Sequence, residues 1–199
     1  MTTLYLIRHG ETEWNVLGRY QGQLDPPLNA RGRAQARATA AQLAPLGFDA
    51  IYSSDLARAR ETAQPLVEQA GLPLQLDARL REIHQGEWQG ILSEQIRAQW
   101  PEALAYWQQQ PWACSPPGGE RLAQVRARLL EAVADMTARY PRGTMAVFTH
   151  KLPVALLKIY YQNHAPSAVW SLLPTNGAWE VIEVGERRER VSQQAQDDE

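Results

Sequence analysis

Two apolar runs dominate what this chain can become. Leu4–Ile7 lies near the start and Thr144–Thr149 near the end, and each breaks off at a histidine: Arg8-His9-Gly10 after the first, His150-Lys151 after the second. Both runs carry β-branched and aromatic residues and are too short for a helix, so they read as buried strands. Phe48–Tyr52 and Leu72–Leu76 repeat the pattern, with helical segments between them. Strand, helix, strand, helix, strand at this spacing predicts a mainly parallel central sheet covered on both faces, a three-layer α/β/α sandwich. Open sheets of that kind bind ligands beyond the carboxyl ends of their strands, which is where both histidines fall.

The first of these strand ends is chemically dense. Arg8 offers a planar fork of donors that matches phosphate oxygens. His9 offers a neutral nitrogen able to attack phosphorus, and Gly10 lets the backbone turn sharply beside a ligand. Asn15 adds a donor from the following loop. The string Arg8-His9-Gly10-Glu11-Thr12-Glu13-Trp14-Asn15 resembles the signature of the histidine phosphatase superfamily, which also holds the cofactor-dependent phosphoglycerate mutases. The resemblance extends over about residues 3–184 in separate motifs. It implies a phosphoglycerate mutase-like fold and a reaction in which His9 is phosphorylated.

The remaining motifs follow in chain order. Gly18 to Leu28 is rich in Gly, Pro and Asp and reads as a loop folded back over the first strand. The family likeness has it touch the substrate through Gln21 and Gly22. Asn29 is placed to cap a helix reaching about Leu46, with Ala34, Ala38, Ala41 and Leu43 as its small apolar face. The strand at Phe48–Tyr52 runs into a helix opened by Ser54 or Asp55, a helix start being an anion-attracting position. The Arg before Ala in this motif, Arg58, corresponds to the family's phosphate ligand. Arg60 points about 200° away on a helix and reads as a surface residue. Pro65 is expected to bend or break this helix.

Leu80 to Gly90 fits no period and reads as a loop. It resembles the stretch that carries the family's proton donor, which places that role on Glu82. The chemistry calls for such a group, because an alkoxide leaves poorly unless it is protonated. Glu87 is the nearest competitor and His84 a more distant one. Residues 93–118 form an excursion with helical spacing interrupted by Pro101, rich in Trp, Gln and Pro. It reads either as a cap over the pocket or as a secondary aromatic core. A long helix, about Glu120 to Tyr140, presents Leu122, Val125, Leu129, Val133 and Met136 on one stripe. The family often has Gly-Glu-Ser before it; here Arg121 stands third and either faces solvent or meets an acidic substrate.

At the second histidine the likeness makes His150 a donor to the transferring oxygens. Thr149 replaces the family's usual Ser, a mild change. Lys151 replaces its usual Gly, so a side chain stands beside the phosphate; it either adds a charge to the pocket or projects away. Further strands are expected at Trp170–Leu173 and Ala178–Val184, with Asn176-Gly177 as the hairpin turn between them. Residues 1–185 read as one domain and residues 186–199 as a flexible tail.

Composition narrows the partners. A net charge of −2 gives no basic field for nucleic acid or an anionic membrane, so any pull on an acidic substrate comes from local Arg and Lys. Cys114 is the only cysteine, which excludes an internal disulfide framework and a cysteine-built metal site. No export segment and no membrane-length apolar run is visible, so a cytoplasmic protein is expected. A homodimer is compatible with the sequence, though no feature specifies it.

The expected reaction is hydrolysis of a small phosphorylated metabolite through a phosphohistidine on His9. Arg8, Arg58 and His150 hold the phosphoryl group, Glu82 acts as the acid, and no cofactor or metal is called for. Asn15, Gln21, Gly22 and Lys151 complete the expected binding residues. Two alternatives share the motifs. One is a phosphoglycerate mutase, though those chains are usually longer between the Glu and second-His motifs. The other, suggested by Lys151 and Arg121, is a phospho-ligand binding module without turnover.

Overall fold

The central strand pair forms because its residues have few alternatives. In β1 (Thr2–Arg8), Leu4, Leu6 and Ile7 are fully buried. In β4 (Thr144–Thr149), every residue after Thr144 is buried. Near-continuous apolar strands of this kind need cover on both faces. β1 and β4 run parallel, with Leu4 opposite Met145 and Arg8 opposite Thr149. The chain is described over residues 1–185 from a computed structural model; the tail expected over 186–199 lies outside the described residues.

The sheet has the order β3-β2-β4-β1-β5, with β2 (Ala50–Ser53), β3 (Leu74–Leu76) and β5 (Trp179–Val184). The β2–β3 and β2–β4 pairs are parallel, and β5 alone pairs antiparallel, to β1. On one face lie α2 (Ala30–Leu43) and α3 (Ala57–Ala70), packed over Ile7, Ile51, Ala146 and Phe148. On the other lie α6 (Leu122–Arg139) and α7 (Lys151–Tyr161), over Leu4, Leu6, Met145 and Val147. The three-layer mainly parallel sandwich is therefore the fold. Between β1 and α2 sits the short α1 (Glu13–Val16), and α4 (Ser93–Gln99) and α5 (Pro101–Gln109) form the excursion.

Several local expectations change. Asn29 does cap α2, accepting from the Gly32 N–H at 2.8 Å. Its buried face, however, is Gly32, Ala36, Thr39, Ala40 and Leu43, and Ala34, Ala38 and Ala41 face solvent. Alanine marks neither face of such a helix, and the close approach of Gly32 to Glu11 turns the other side inward. α3 runs unbroken through Pro65. Its start is Leu56 rather than Ser54 or Asp55, and the carboxylate of Asp25 accepts from the Ala57 N–H at 2.6 Å. A chain carboxylate thus occupies the helix start that the sequence suggests for phosphate. No strand forms at Trp170–Leu173. Pro166–Trp170 is a 3-10 turn, in which Trp170 is tied to the Gln108 carbonyl at 2.8 Å.

Candidate active site

Because β1 and β4 pair in register, the residues that follow them meet. The His9 N–H donates to the Thr149 carbonyl at 3.0 Å, and the rings of His9 and His150 lie 5.2 Å apart, centroid to centroid. Both imidazoles are buried, and their open nitrogens differ. His9 Nδ1 lies 2.7 Å from the Gly10 carbonyl, which can only accept, so the ring proton belongs on Nδ1 and Nε2 is left with a free lone pair. His150 is reversed. Its Nε2 lies 3.0 Å from Ser54 Oγ, and its Nδ1 is buried without a partner among the described residues. Ser54 Oγ accepts from the Leu56 N–H, and among the described residues its own proton has no acceptor other than Nε2, so the O–H is assigned to Nε2 and the ring proton to Nδ1. One imidazole therefore presents a lone pair and the other an N–H. Burial first, then Arg58 and Arg8, hold the His9 imidazole well below the usual histidine range. Burial and Arg58, followed by His9, do the same for His150.

Two guanidiniums flank this pair, each gripped by carbonyls. Arg8 donates to Pro174 at 2.6 Å; Arg58, fully buried, donates to Gly22 at 2.7 Å and Leu24 at 2.8 Å. Each keeps a buried Nε–H with no partner among the described residues. Burial pushes the Arg58 pKa down to about 10, against the opposing pull of the Glu82 and Asp25 carboxylates. A cation buried this way, with donors unspent, is suited to an anion.

These groups open onto a cavity of about 240 Å³. Arg8, His9, Asn15, Gln21, Gly22, Arg58, Glu82 and Lys151 all line it, so eight of the nine expected site residues share one wall system. The ninth, His150, is fully buried beside His9 and is not in the lining. Lys151 does enter the cavity's lining, at the start of α7. Asn15 accepts at Oδ1 from Thr12 and Asn176, which leaves its amide N–H₂ for a ligand. Gly22 has φ +52, and a Cβ there would meet Gln89, so the loop bends as only glycine allows.

Glu82 is buried and lines the cavity, with one carboxylate oxygen accepting from the Ile83 N–H at 3.0 Å. Glu87 is exposed, and His84 is spent on its own loop, its ring accepting from the Gly86 N–H. Neither lines the cavity. The Glu82 backbone is fixed from α6: Arg128 donates to the carbonyls of Arg79, Arg81 and Glu82 and is itself paired to Glu120 at 2.9 Å. Arg121, by contrast, is exposed and outside the cavity. The excursion serves both readings given to it. Trp107 is buried in the core and, with Trp170, lines the cavity, the two rings meeting edge-to-face at 5.6 Å.

Sequence reasoning missed several supports. Asn176 is no hairpin turn residue between two strands; its amide donates to the carbonyls of His9 and Gly10 at 3.1 and 3.2 Å. Thr62 accepts from the Gly10 N–H at 2.9 Å and donates to the Arg58 carbonyl. Gln85 is buried in the cavity wall with Oε1 unpartnered. The Asn-Gly turn signature concealed Asn176, and nothing in local pattern marks Thr62. Helical spacing of Arg58 and Thr62 was the one available hint.

With this geometry in place, comparisons with known proteins agree in one direction. Residues 4–197 match the model of the "Histidine phosphatase superfamily (branch 1)". The chain is 36% identical over 188 residues to phosphoserine phosphatase 1 of Hydrogenobacter thermophilus, covering 94% of this chain and 89% of that one. It is 45% identical over 139 residues to glucosyl-3-phosphoglycerate phosphatase of Mycobacterium tuberculosis, covering 69% of this chain but only 61% of that relative. The solved structure of Bacillus stearothermophilus YhfR superposes with a TM-score of 0.86 at 37% identity, over 94% of this chain and 93% of that one. Among the described residues, no helix is long and apolar enough to cross a membrane.

Proposed function

Since the chain belongs to the histidine phosphatase superfamily, we propose that it is a phosphatase that hydrolyses a small phosphorylated metabolite through a phosphohistidine formed on His9. The observation that carries this reading is the complementary pair of open nitrogens. His9 Nε2 has a lone pair, and His150 Nδ1 has a proton, across a ring separation of 5.2 Å. The substrate's phosphoryl oxygens take the free donors of Arg8, Arg58 and His150, with Asn15 and Gln21 beside them. Fixed donors of this kind stabilise charge on the transferring group without reorganising.

His9 Nε2 attacks phosphorus in line, the P–N bond forming as the ester P–O bond breaks. Glu82 gives its proton to the departing alkoxide, so a neutral alcohol leaves. Water then attacks the phosphohistidine. Its proton returns to the Glu82 carboxylate, the P–N bond breaks, and inorganic phosphate is released. Two moderate steps replace one difficult displacement. The depressed basicity of His9 keeps the attacking nitrogen unprotonated below neutral pH. A cytoplasmic setting fits this use of metabolite-sized substrates.

The test is an acid-sparing quench during turnover of an aryl phosphate, followed by peptide mass spectrometry. A phosphate on the His9 peptide, absent from His9→Ala, supports the reading. Steady phosphate release with no such adduct would overturn it. Assaying phosphoglycerate in parallel distinguishes water as the acceptor from a second substrate hydroxyl, the mutase outcome. Phosphate binding without turnover in either protein would make the chain a binding module.

A further inference from the structure

The carbonyl oxygen of Glu82 accepts two hydrogen bonds, from two distant parts of the fold. Arg128 donates to it from α6 at 3.0 Å, and the side-chain amide of Gln23 donates to it from the 18–28 loop at 3.1 Å. Arg128 spends all five of its N–H donors in this region: on the carbonyls of Arg79, Arg81 and Glu82 and on both carboxylate oxygens of Glu120. Glu120 in turn accepts from the His84 N–H at 2.7 Å, and its own N–H donates to the His84 carbonyl at 2.8 Å. The clamp ties the loop that carries Glu82 to α6. None of its bonds reaches the groups that face the two histidines.

Gln23 makes that second link. Its neighbours on either side, Gly22 and Leu24, give their carbonyls to the Arg58 guanidinium at 2.7 and 2.8 Å. Its own N–H donates to Gln89 Oε1 at 2.8 Å, and the same oxygen accepts from the Gln85 N–H at 3.3 Å. Asp25 anchors the same loop to the start of α3. The loop is thus set by the arginine proposed to hold the phosphoryl group, and Gln23 extends its amide from there to the Glu82 backbone. Gln23 is half-buried and is not among the cavity's lining residues, so it acts on the site through Glu82 and not on a substrate.

We infer that Gln23 is a positioning residue that keeps the Glu82 carboxyl in register with the phosphoryl group on Arg58. The Glu82 carboxylate has one hydrogen bond among the described residues, from the Ile83 N–H at 3.0 Å, so its place is set mainly by its own backbone. Without the Gln23 amide, that backbone stays tied to α6 but loses its direct bond to the loop that Arg58 holds. Proton transfer to a leaving oxygen needs the acid within hydrogen-bond reach. A misplacement of about 1 Å is enough to cost up to about 100-fold. The role rests on the phosphatase reading, in which Glu82 is the acid.

The experiment compares phenyl phosphate with p-nitrophenyl phosphate in wild type, Q23M, Q23E, E82Q and the double variant Q23M/E82Q. Both esters present the same ring, but phenolate is the poorer leaving group and needs the proton more. Met keeps the length of Gln without its amide, and Glu sets an oxygen against the Glu82 carbonyl. A within-preparation ratio of the two rates cancels any difference in folded fraction. Q23M is expected to lower kcat on phenyl phosphate about tenfold and on p-nitrophenyl phosphate by less than about twofold, with KM little changed. Q23E should be at least as selective in its loss. Inhibition by inorganic phosphate should match wild type, since Arg58 keeps both carbonyls. In the E82Q background, Q23M should cost nothing further, because the group it positions is gone. Equal losses on the two esters in Q23M, no loss at all, or a full further loss in the double variant would overturn the inference and leave the phosphatase reading standing. E82Q losing equally on both esters would overturn the acid role of Glu82 and the inference with it. Wild type inert towards both esters would overturn the phosphatase reading as well.

Discussion

The hydroxyl of Ser54 lies 3.0 Å from Nε2 of His150 and accepts from the Leu56 N–H at 3.3 Å, and with no other acceptor among the described residues its own proton is assigned to the imidazole. The contact is a tautomer lock. With Nε2 accepting, the ring proton stays on Nδ1, the buried nitrogen that has no partner among the described residues. Ser54→Ala removes the lock and lets the proton move to Nε2, so the nitrogen proposed to donate to the phosphoryl oxygens would become an acceptor. Loss of one such donor is expected to lower kcat by about 10- to 100-fold, with a smaller change in KM and a thermal midpoint within a few degrees of wild type. Steady-state kinetics and a melting curve check both parts. An S54A protein as fast as wild type would mean that His150 keeps its tautomer unaided.

Glu82 is placed in the cavity by its own loop and by Arg128, and its role can be isolated by the leaving group. An alkoxide needs the proton, whereas a nitrophenolate leaves without it. Glu82→Gln is therefore expected to cost about 10²- to 10⁴-fold on an alkyl phosphate and much less on p-nitrophenyl phosphate. His9→Ala should abolish both equally. Rates on a series of esters of rising alcohol pKa supply the measurement. Equal losses across the series would remove Glu82 from the acid role.

The parts of this site legible in the sequence were those where local pattern and chemistry coincide. Leu4–Ile7 and Thr144–Thr149 could only be buried strands, and a His at each strand's carboxyl end could only meet the other if the strands pair in parallel, as they do. Arg58 and Glu82 were legible through motif register. What escaped was carried by long-range contacts. Asp25 plugs the start of α3 from a loop 32 residues away, and Asn176 reaches back 167 residues to the His9 carbonyl. Asn176-Gly177 has the composition of a hairpin turn, and that local signal hid its use as a clamp. The buried face of α2 escaped for a different reason: alanine occupies both faces, and hydrophobic periodicity cannot rank two small apolar stripes.

Gly10 joins His9 to the fold in a way that one methyl group tests. A Cβ there would lie 2.5 Å from the Gly32 carbonyl oxygen, and that backbone belongs to α2 and cannot yield as a side chain would. Gly10→Ala is expected to destabilise the protein by about 1–3 kcal/mol through overpacking. It should also reduce activity, because the Gly10 carbonyl holds His9 Nδ1 and its N–H is tied to Thr62. Gly71→Ala is the control. Its φ of +66 makes the substitution cost about 1 kcal/mol, but no atom lies within 4 Å of the added carbon and the site is remote from His9. Urea unfolding and kcat for the two variants should separate: G71A loses stability alone, G10A loses both.

The two buried imidazoles also set a pH dependence for folding. Burial, reinforced by Arg58, holds both His9 and His150 well below the ordinary histidine value of 6.5. Between that value and their folded pKa values, the unfolded chain binds protons that the native protein refuses. Stability then rises with pH, so the contribution is fully present above about pH 6.5 and is lost as pH falls towards the folded values. Each such group contributes up to about 1.4 kcal/mol per pH unit across that window. Urea midpoints measured at pH 7.5, 6.5 and 5.5 are expected to change little over the first interval and to drop over the second, above the range in which ordinary carboxylates titrate. The drop should be smaller in His9→Asn, which has one titrating imidazole fewer. Saturating inorganic phosphate should reduce it in wild type, because the bound anion favours the protonated imidazoles. A midpoint flat from pH 7.5 to 5.5 would show that the imidazoles accept protons in the folded protein as readily as in the unfolded chain.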